Sequence, residues 1–425
     1  MREMKDSGIS WVGEIPKEWS VNRAKYCFVN TKEIAGCRSD RYERLALTMN
    51  GVIKRSKDDS NGLQPEKFET YQILRPDELV FKLIDLQNVS TSRVGLSPYL
   101  GLVSPAYIIL KSNKRVLPAF AEKYFLMLWK NQIFNALGDA GVRSNLNSKD
   151  LLELSIPFPS LVEQQRIAEF LDRECGKIDG LKADIQAQID TLEQYKRSVI
   201  TEAVTHGLNP SAPMKDSGIP WVGQFPTHWT KKKGKYILRY MSKPVKQDDG
   251  VITCFRDGEV TLRSNRREDG FTMADKEIGY QGVDVGDLVV HGMDGFAGAI
   301  GISDSRGKAS PVLNVLNTKQ NKKYIMYYLR SMAYGEVFTA LSTGIRVRSC
   351  DLRWNKLAEL LYPLPPIDEQ NNIVNYIDEQ IARTNEIIAD KKLQIETLDG
   401  YKKSLIYEYV TGKKEVICDG RRIDS

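Results

Sequence analysis

Glu163 to Thr205 reads EQQRIAEFLDRECGKIDGLKADIQAQIDTLEQYKRSVITEAVT and contains no proline. Apolar residues recur at Ile167, Leu171, Ile178, Leu181, Ile185, Ile189, Leu192, Tyr195, Val199 and Ala203, mostly three or four apart. That spacing sets them on one stripe of a helix. At about 1.5 Å per residue the helix would run roughly 60 Å, beyond the usual three turns of a globular helix. A stripe so long needs a partner. The chain supplies one 206 residues later, where Glu369 to Thr411 reads EQNNIVNYIDEQIARTNEIIADKKLQIETLDGYKKSLIYEYVT.

The repeat extends outward from the helices. Met4 to Trp19, MKDSGISWVGEIPKEW, returns as Met214 to Trp229, MKDSGIPWVGQFPTHW, with eleven of sixteen positions identical. Trp11, Val12, Gly13, Pro16 and Trp19 pair with Trp221, Val222, Gly223, Pro226 and Trp229. Two tryptophans and a proline in a short irregular segment predict an anchor packed on another element, a structural rather than a binding role.

Each anchor leads into a diverged region, Ser20 to Ser160 and Thr230 to Pro366, with landmarks in a common order. Strand-like runs come first, Glu78 to Ile84 against Asp287 to His291. Ser104-Pro105 and Ser310-Pro311 precede apolar runs, and helical patterns follow at Ala119 to Leu137 and Lys322 to Leu341. Loops Gly141-Val142-Arg143 and Gly344-Ile345-Arg346 lead to the proline-marked strands Ile156 to Pro159 and Tyr362 to Pro365. Those prolines end the globular part and launch each long helix.

The expected class is therefore α+β: two similar α/β domains joined by two long antiparallel helices in a coiled coil, with approximate two-fold symmetry. The boundaries are an anchor and first domain over 1–160, a long helix over 161–207, an anchor and second domain over 208–366, a second long helix over 367–412, and a polar, disordered tail over 413–425.

Composition limits what such a chain can be. It has 425 residues, enough for two or three cores, with 41% hydrophobic and 27% charged residues and a mean hydropathy of −0.38. The net charge of +6 is a mild excess, but Lys231 to Arg267 holds eleven Lys and Arg against four Asp and Glu. Local density of that kind suits a polyanion, although a solvated surface is the plainer explanation. Six scattered cysteines without a CxxC pair, and three histidines far from them in sequence, argue against disulfides and structural zinc. With no signal-like N-terminus and no membrane-length apolar run, a soluble cytoplasmic protein with no membrane partner is expected.

Enzymatic motifs fail one by one. Gly301 to Lys308 approaches a phosphate-binding loop but has five residues between its glycines and Ala309 where Ser or Thr is required. Gly292 to Gly301 does not make GxGxxG, and neither GxSxG nor HExxH occurs. Asn209-Pro210 is followed by Ser211, so the Asn-Pro-Pro-aromatic motif of amino-methyltransferases is missing. Cys254 and Cys350 lack a nearby His and read as core cysteines.

The doubled GIxWVGxxPxxW anchor, the lead-ins Pro157, Pro159, Glu163, Gln164 and Pro363, Pro365, Glu369, Gln370, and the helix ends TLEQYKRS and TLDGYKKS carry a resemblance. Together, over nearly the whole chain to Gly412, they resemble the specificity subunit of type I restriction–modification systems. The resemblance implies two target-recognition domains, each reading one half of a split target in double-stranded DNA. It implies that the helices space the halves and dock two methyltransferase subunits. Endonuclease/translocase subunits would join for cleavage. S-adenosylmethionine, ATP and Mg are then expected in the partner subunits, and no cofactor or catalytic residue in this chain.

Candidate DNA-binding residues follow from side-chain type. In the first domain they are Lys54, Arg55 and Lys57, in a turn after Asn50-Gly51, and Arg143 with Asn145 before the closing strand. In the second they are Arg263, Asn265, Arg266 and Arg267, and Arg346 with Arg348 in the matching loop. Arg suits guanine and Asn suits adenine by bidentate hydrogen bonding. Arg143 and Arg346 rank first because they recur at equivalent places, and His291 reads as a strand residue. Two other classes stay open: a coiled-coil scaffold that does not bind DNA, and a self-contained DNA modification enzyme.

Overall fold

Both proline-free stretches are helical, the second up to Val410, in the computed structural model, which describes residues 2–59, 67–84, 86, 92–137, 145–266, 278–341 and 352–416. The first long helix spans Leu161–His206 and the second Ile367–Val410. The chain divides into two units, Met1–Ile185 with Leu393–Ser425, and Gln186–Lys392, so each unit holds part of both helices.

Within the first unit Lys182 pairs with Asp399 at 2.5 Å and Lys402 with Asp179 at 2.7 Å. Three residues forward on one helix meet three residues back on the other, so the helices run antiparallel. Within the second unit Lys196 bonds Asn385 at 2.8 Å and Lys391 bonds Gln188 at 2.5 Å, in the same sense. Apolar burial is concentrated where a helix also meets its globular domain. Ile167, Leu171 and Ile178 join Leu405, Ile406 and Val410 in the first core. Ile200, Ala203 and Val204 join Ile373, Val374 and Ile377 in the second. Away from those domains burial is uneven: Ile189 is buried, but Leu181 is 53% and Tyr195 46% exposed, although all three lie on the same stripe. Period identifies a face but not what covers it.

The anchors do as expected. In each, a short antiparallel pair (Met4–Asp6 with Glu14–Pro16; Met214–Asp216 with Gln224–Pro226) presents a buried tryptophan to the start of a long helix. Trp19 donates its indole N–H to Glu163 at 3.0 Å, and Trp229 donates to Glu369 at 3.0 Å. The adjoining glutamine bridges two elements. Gln164 donates to the Pro159 carbonyl and accepts from the Leu117 N–H; Gln370 donates to the Pro365 carbonyl and accepts from the Asn321 N–H. Both glutamines are fully buried, so each joins proline strand, long helix and domain helix with its hydrogen bonds satisfied. Trp11 and Trp221 donate to Tyr124 and Tyr328, whose hydroxyls donate to the carbonyls of Ser155 and Leu361. The Glu-Gln pair that opens each helix is thus a joint whose tryptophan and backbone bonds repeat, while Arg2 adds to Glu163 in the first and His228 to Glu369 in the second.

Each domain carries an antiparallel four-stranded sheet of one order: Phe28–Thr31, Ile108–Ser112, Leu79–Phe81, Val94–Leu96 in the first unit, and Leu238–Tyr240, Leu313–Thr318, Leu288–His291, Ile300–Ile302 in the second. A second layer differs. In the first unit the hairpin Arg44–Thr48 and Gly51–Arg55 continues through Gly101–Val103 to Gln72–Leu74 as one sheet. In the second, Ile252–Cys254 with Val260–Leu262 and Gln281–Val283 with Gly307–Ala309 remain separate ribbons, linked by one parallel bridge between Val251 and Lys308.

Two expectations are corrected. Each domain helix is broken: Pro118–Lys130 is followed by Ile133–Leu137, and Lys322–Tyr334 by Val337–Ala340. Left-handed Gln132 (φ 59°) and Glu336 (φ 55°) turn the chain there, where the sequence has no proline to announce it. The tail expected to be disordered is ordered at its start. Lys413 donates to the carbonyls of Val12 and Glu14, at 2.8 and 3.1 Å, and Glu415 pairs with Arg2 at 3.1 Å. Residues 417–425 lie outside the described residues.

Candidate nucleic-acid interface

In the second unit the hairpin Ile252–Cys254/Val260–Leu262, the turn Arg263–Asn265 and the end of the strand Leu288–His291 enclose a cleft of about 900 Å³. The hairpin's backbone pairing, Ile252 with Leu262 and Cys254 with Val260, leaves the following turns to carry long polar side chains. Arg256, Arg263, Arg266 and His291 line this cleft. Arg266 lies over the Phe255 ring, 4.1 Å from its centre, and pairs with Asp257 at 2.6 Å and Glu259 at 3.0 Å. Arg256 pairs with Asp294 at 3.0 Å, and Arg263 approaches the Thr253 hydroxyl at 3.4 Å. Carboxylates and a ring hold the guanidinium groups in place, so the cleft presents oriented N–H donors, suited to phosphate or to base acceptors, beside the carboxylates of Asp257 and Asp294.

Of the predicted residues in this unit, Arg263 and Arg266 therefore meet in one cleft. Asn265 turns back to donate to Thr261 at 2.9 Å and does not line it. Arg267, Arg346 and Arg348 lie outside the described residues. Arg256 and His291 were missed. The sequence marks neither, since the cleft joins residues 35 apart through sheet packing rather than through a local motif. His291 is a strand residue, as read, but it also faces the cleft. Cys254 is a core cysteine, its thiol pushed up to about 12 by burial, which removes it as a nucleophile near neutral pH.

In the first unit the predicted cations occupy a strand, not a turn. Lys54 and Arg55 belong to Gly51–Arg55, because the Asn50-Gly51 reversal is tight and pairing resumes at Gly51 against Thr48. Lys54 pairs with Glu43 at 2.6 Å and sits over Tyr99; Arg55 pairs with Asp59 at 2.6 Å. Lys57 follows the strand, donates to the Ser39 carbonyl at 2.9 Å and lies over Phe68. Asn145 is exposed, and Arg143 lies outside the described residues. Sequence reasoning also missed a basic recess beside the Asn50 turn, where Lys130, Lys182, Lys402 and Lys403 gather with Asp179 and Asp399. Burial pushes the Lys130 ammonium pKa down, with Lys402 and Lys182 adding to the effect.

Among the described residues no cluster of His, Cys, Asp and Glu could hold a metal ion, and no helix is long and apolar enough to cross a membrane.

Comparison with known proteins gives one answer. Residues 57–191 match the model of the type I restriction modification DNA specificity domain. The putative type I restriction enzyme MjaX specificity subunit of Methanocaldococcus jannaschii is 22% identical, over 95% of this chain and 96% of its own. The type I restriction enzyme StySPI specificity subunit of Salmonella potsdam is 21% identical, over 77% and 75%. A chain solved in work on complex assembly and conformational transition of the type I R-M system shares the fold, with a TM-score of 0.65 over 94% of this chain and 99% of that one, at 13% identity. The duplicated anchor and Glu-Gln joint, the paired long helices and these matches agree: the chain is similar, over nearly its whole length, to the specificity subunits of type I restriction–modification systems.

Proposed function

We propose that this chain reads a bipartite sequence in double-stranded DNA, one half-site per unit, and carries no catalytic step itself. The observation that supports the reading most is the duplication. One frame, sharing the tryptophan–glutamate and glutamine–backbone bonds at Glu163-Gln164 and Glu369-Gln370, carries two unlike basic surfaces, as expected where two different half-sites are read. Lys and Arg neutralise phosphates and set register, while side chains in the hairpin turns meet base edges. Partner subunits supply the chemistry: two methyltransferase subunits with S-adenosylmethionine, and endonuclease/translocase subunits with ATP and Mg, acting in the cytoplasm. The long helices would dock the methyltransferases, and their exposed apolar residues Leu181 and Tyr195 are consistent with that.

The test is selection from random duplex DNA by the chain assembled with its methyltransferase partner. Two half-sites separated by unread bases are expected. A contiguous recognition sequence, or no binding at low salt, would refute the reading.

A further inference from the structure

We propose that His291 is a base-reading residue of the second unit, donating its Nε2 hydrogen to the N7/O6 edge of a guanine in the half-site read there. The inference rests on the DNA-reading role proposed above and assigns one contact within it. His291 ends the strand Leu288–His291, and the chain turns at once into Met293 and Asp294. Its Nδ1 accepts the backbone N–H groups of both, at 3.2 and 2.9 Å. A ring nitrogen that accepts two donors carries no hydrogen, so the hydrogen sits on Nε2. Among the described residues Nε2 has no partner, and the ring lines the cleft shared with Arg256, Arg263 and Arg266. Burial pushes the imidazole pKa down, so the ring remains a neutral single donor at pH 7.

The surrounding chemistry selects the ligand. In the major groove guanine offers N7 and O6, the purine edge with two acceptors, whereas cytosine offers a donor that would oppose Nε2–H. Adenine sets an N6 donor beside its N7, so only guanine presents two adjacent acceptors to Nε2–H and to the arginines of the cleft, whose charge Asp257 and Asp294 partly offset. Arg266 and Arg256 are drawn towards Asp257, Glu259 and Asp294, which leaves the histidine well placed to probe a base.

Asparagine and glutamine separate reading from folding. His291→Asn keeps an acceptor near Nδ1 for the two backbone N–H groups and has nothing at the place of Nε2. His291→Gln puts an amide N–H near that place and loses the turn acceptor. With the methyltransferase-bound chain and random duplex DNA, H291N should melt like the unsubstituted protein and keep the first half-site. It should lose about tenfold discrimination at one position of the second. H291Q should melt lower and keep guanine there. H291N that folds and selects both half-sites unchanged would overturn the proposal, as would relaxation in both half-sites. A second reading comes from the DNA. Replacing that guanine by 7-deazaguanine should weaken binding by the unsubstituted protein about tenfold and weaken H291N no further. Equal effects on both proteins would overturn the assignment. An unsubstituted complex that selects no sequence would instead refute the recognition role itself.

Discussion

Trp19 and Trp229 donate to Glu163 and Glu369 at the same 3.0 Å, while the hairpins above them hold their cations in unlike ways. In the first unit Lys54 and Arg55 lie along a strand of a continuous four-stranded layer, each beside a carboxylate. In the second, that layer is split into ribbons and three arginines surround a cleft. The joint consists of buried side chains bonded to backbone, where losing one partner strands the other, at a cost of about 1–3 kcal/mol. The hairpins pair chiefly through backbone, which leaves most of their outward side chains free to vary. The same chain thus repeats its chemistry at the joints and varies it on the surfaces proposed to read DNA.

The largest expected effect tests whether the joints are equivalent. Trp19→Ala and Trp229→Ala each remove a nearly fully buried indole and should cost about 3–5 kcal/mol. Thermal or denaturant unfolding checks this. A loss near 4 kcal/mol at one site with less than about 1 kcal/mol at the other would break the comparison.

The helix ends sharpen it, because the two glycines differ. Gly412 (φ 73°) closes the second long helix over the first anchor, and an added Cβ would lie 2.4 Å from Pro16 Cδ. Gly207 (φ 81°) closes the first over the second anchor, where the nearest atom is Trp229 Cζ2 at 3.1 Å. Left-handed backbone costs an alanine about 1–2 kcal/mol at either site, and overpacking adds about 1–3 kcal/mol chiefly at Gly412. Unfolding measurements should rank Gly412→Ala as the more damaging; the reverse order would contradict this packing.

The smallest effect is confined to the second unit and depends on pH. Hydrogen bonds from Lys243 and Arg306 hold Asp284 at about 2, below the usual carboxylate range. A depressed folded value means the stabilisation is complete above about pH 4 and fades as pH falls towards 2. Asp284 is half exposed, so it contributes below about 1 kcal/mol. Asp284→Asn should lower the melting temperature slightly at pH 6, with the difference closing near pH 2.5. A difference that persists at pH 2.5 would place the loss elsewhere.

Much of the frame was legible in the sequence because it repeats. The anchors, the proline strands and both long helices were placed from residues alone, the helix ends within two positions. Periodicity could not show that Leu181 and Tyr195 face solvent, since that depends on how far each domain reaches along its helix. Nor did composition reveal the turns at Gln132 and Glu336, where tertiary packing holds ordinary residues in a left-handed conformation. The site was legible only as charge. Lys54, Arg55 and Arg263 were chosen by type, whereas the meeting of Arg256 with His291 is a product of sheet packing. Tyr324 shows the same limit: its hydroxyl donates to the carbonyls of Val204 and Pro363, a link no sequence pattern signals.

The most direct test exchanges one of the two surfaces proposed to read DNA. Residues 230–366 are replaced by those of another specificity subunit, both anchors and both long helices being kept, and the DNA selected by the methyltransferase-bound protein is sequenced. One half-site should change while the other is retained. A change in both half-sites, or in neither, would contradict that expectation.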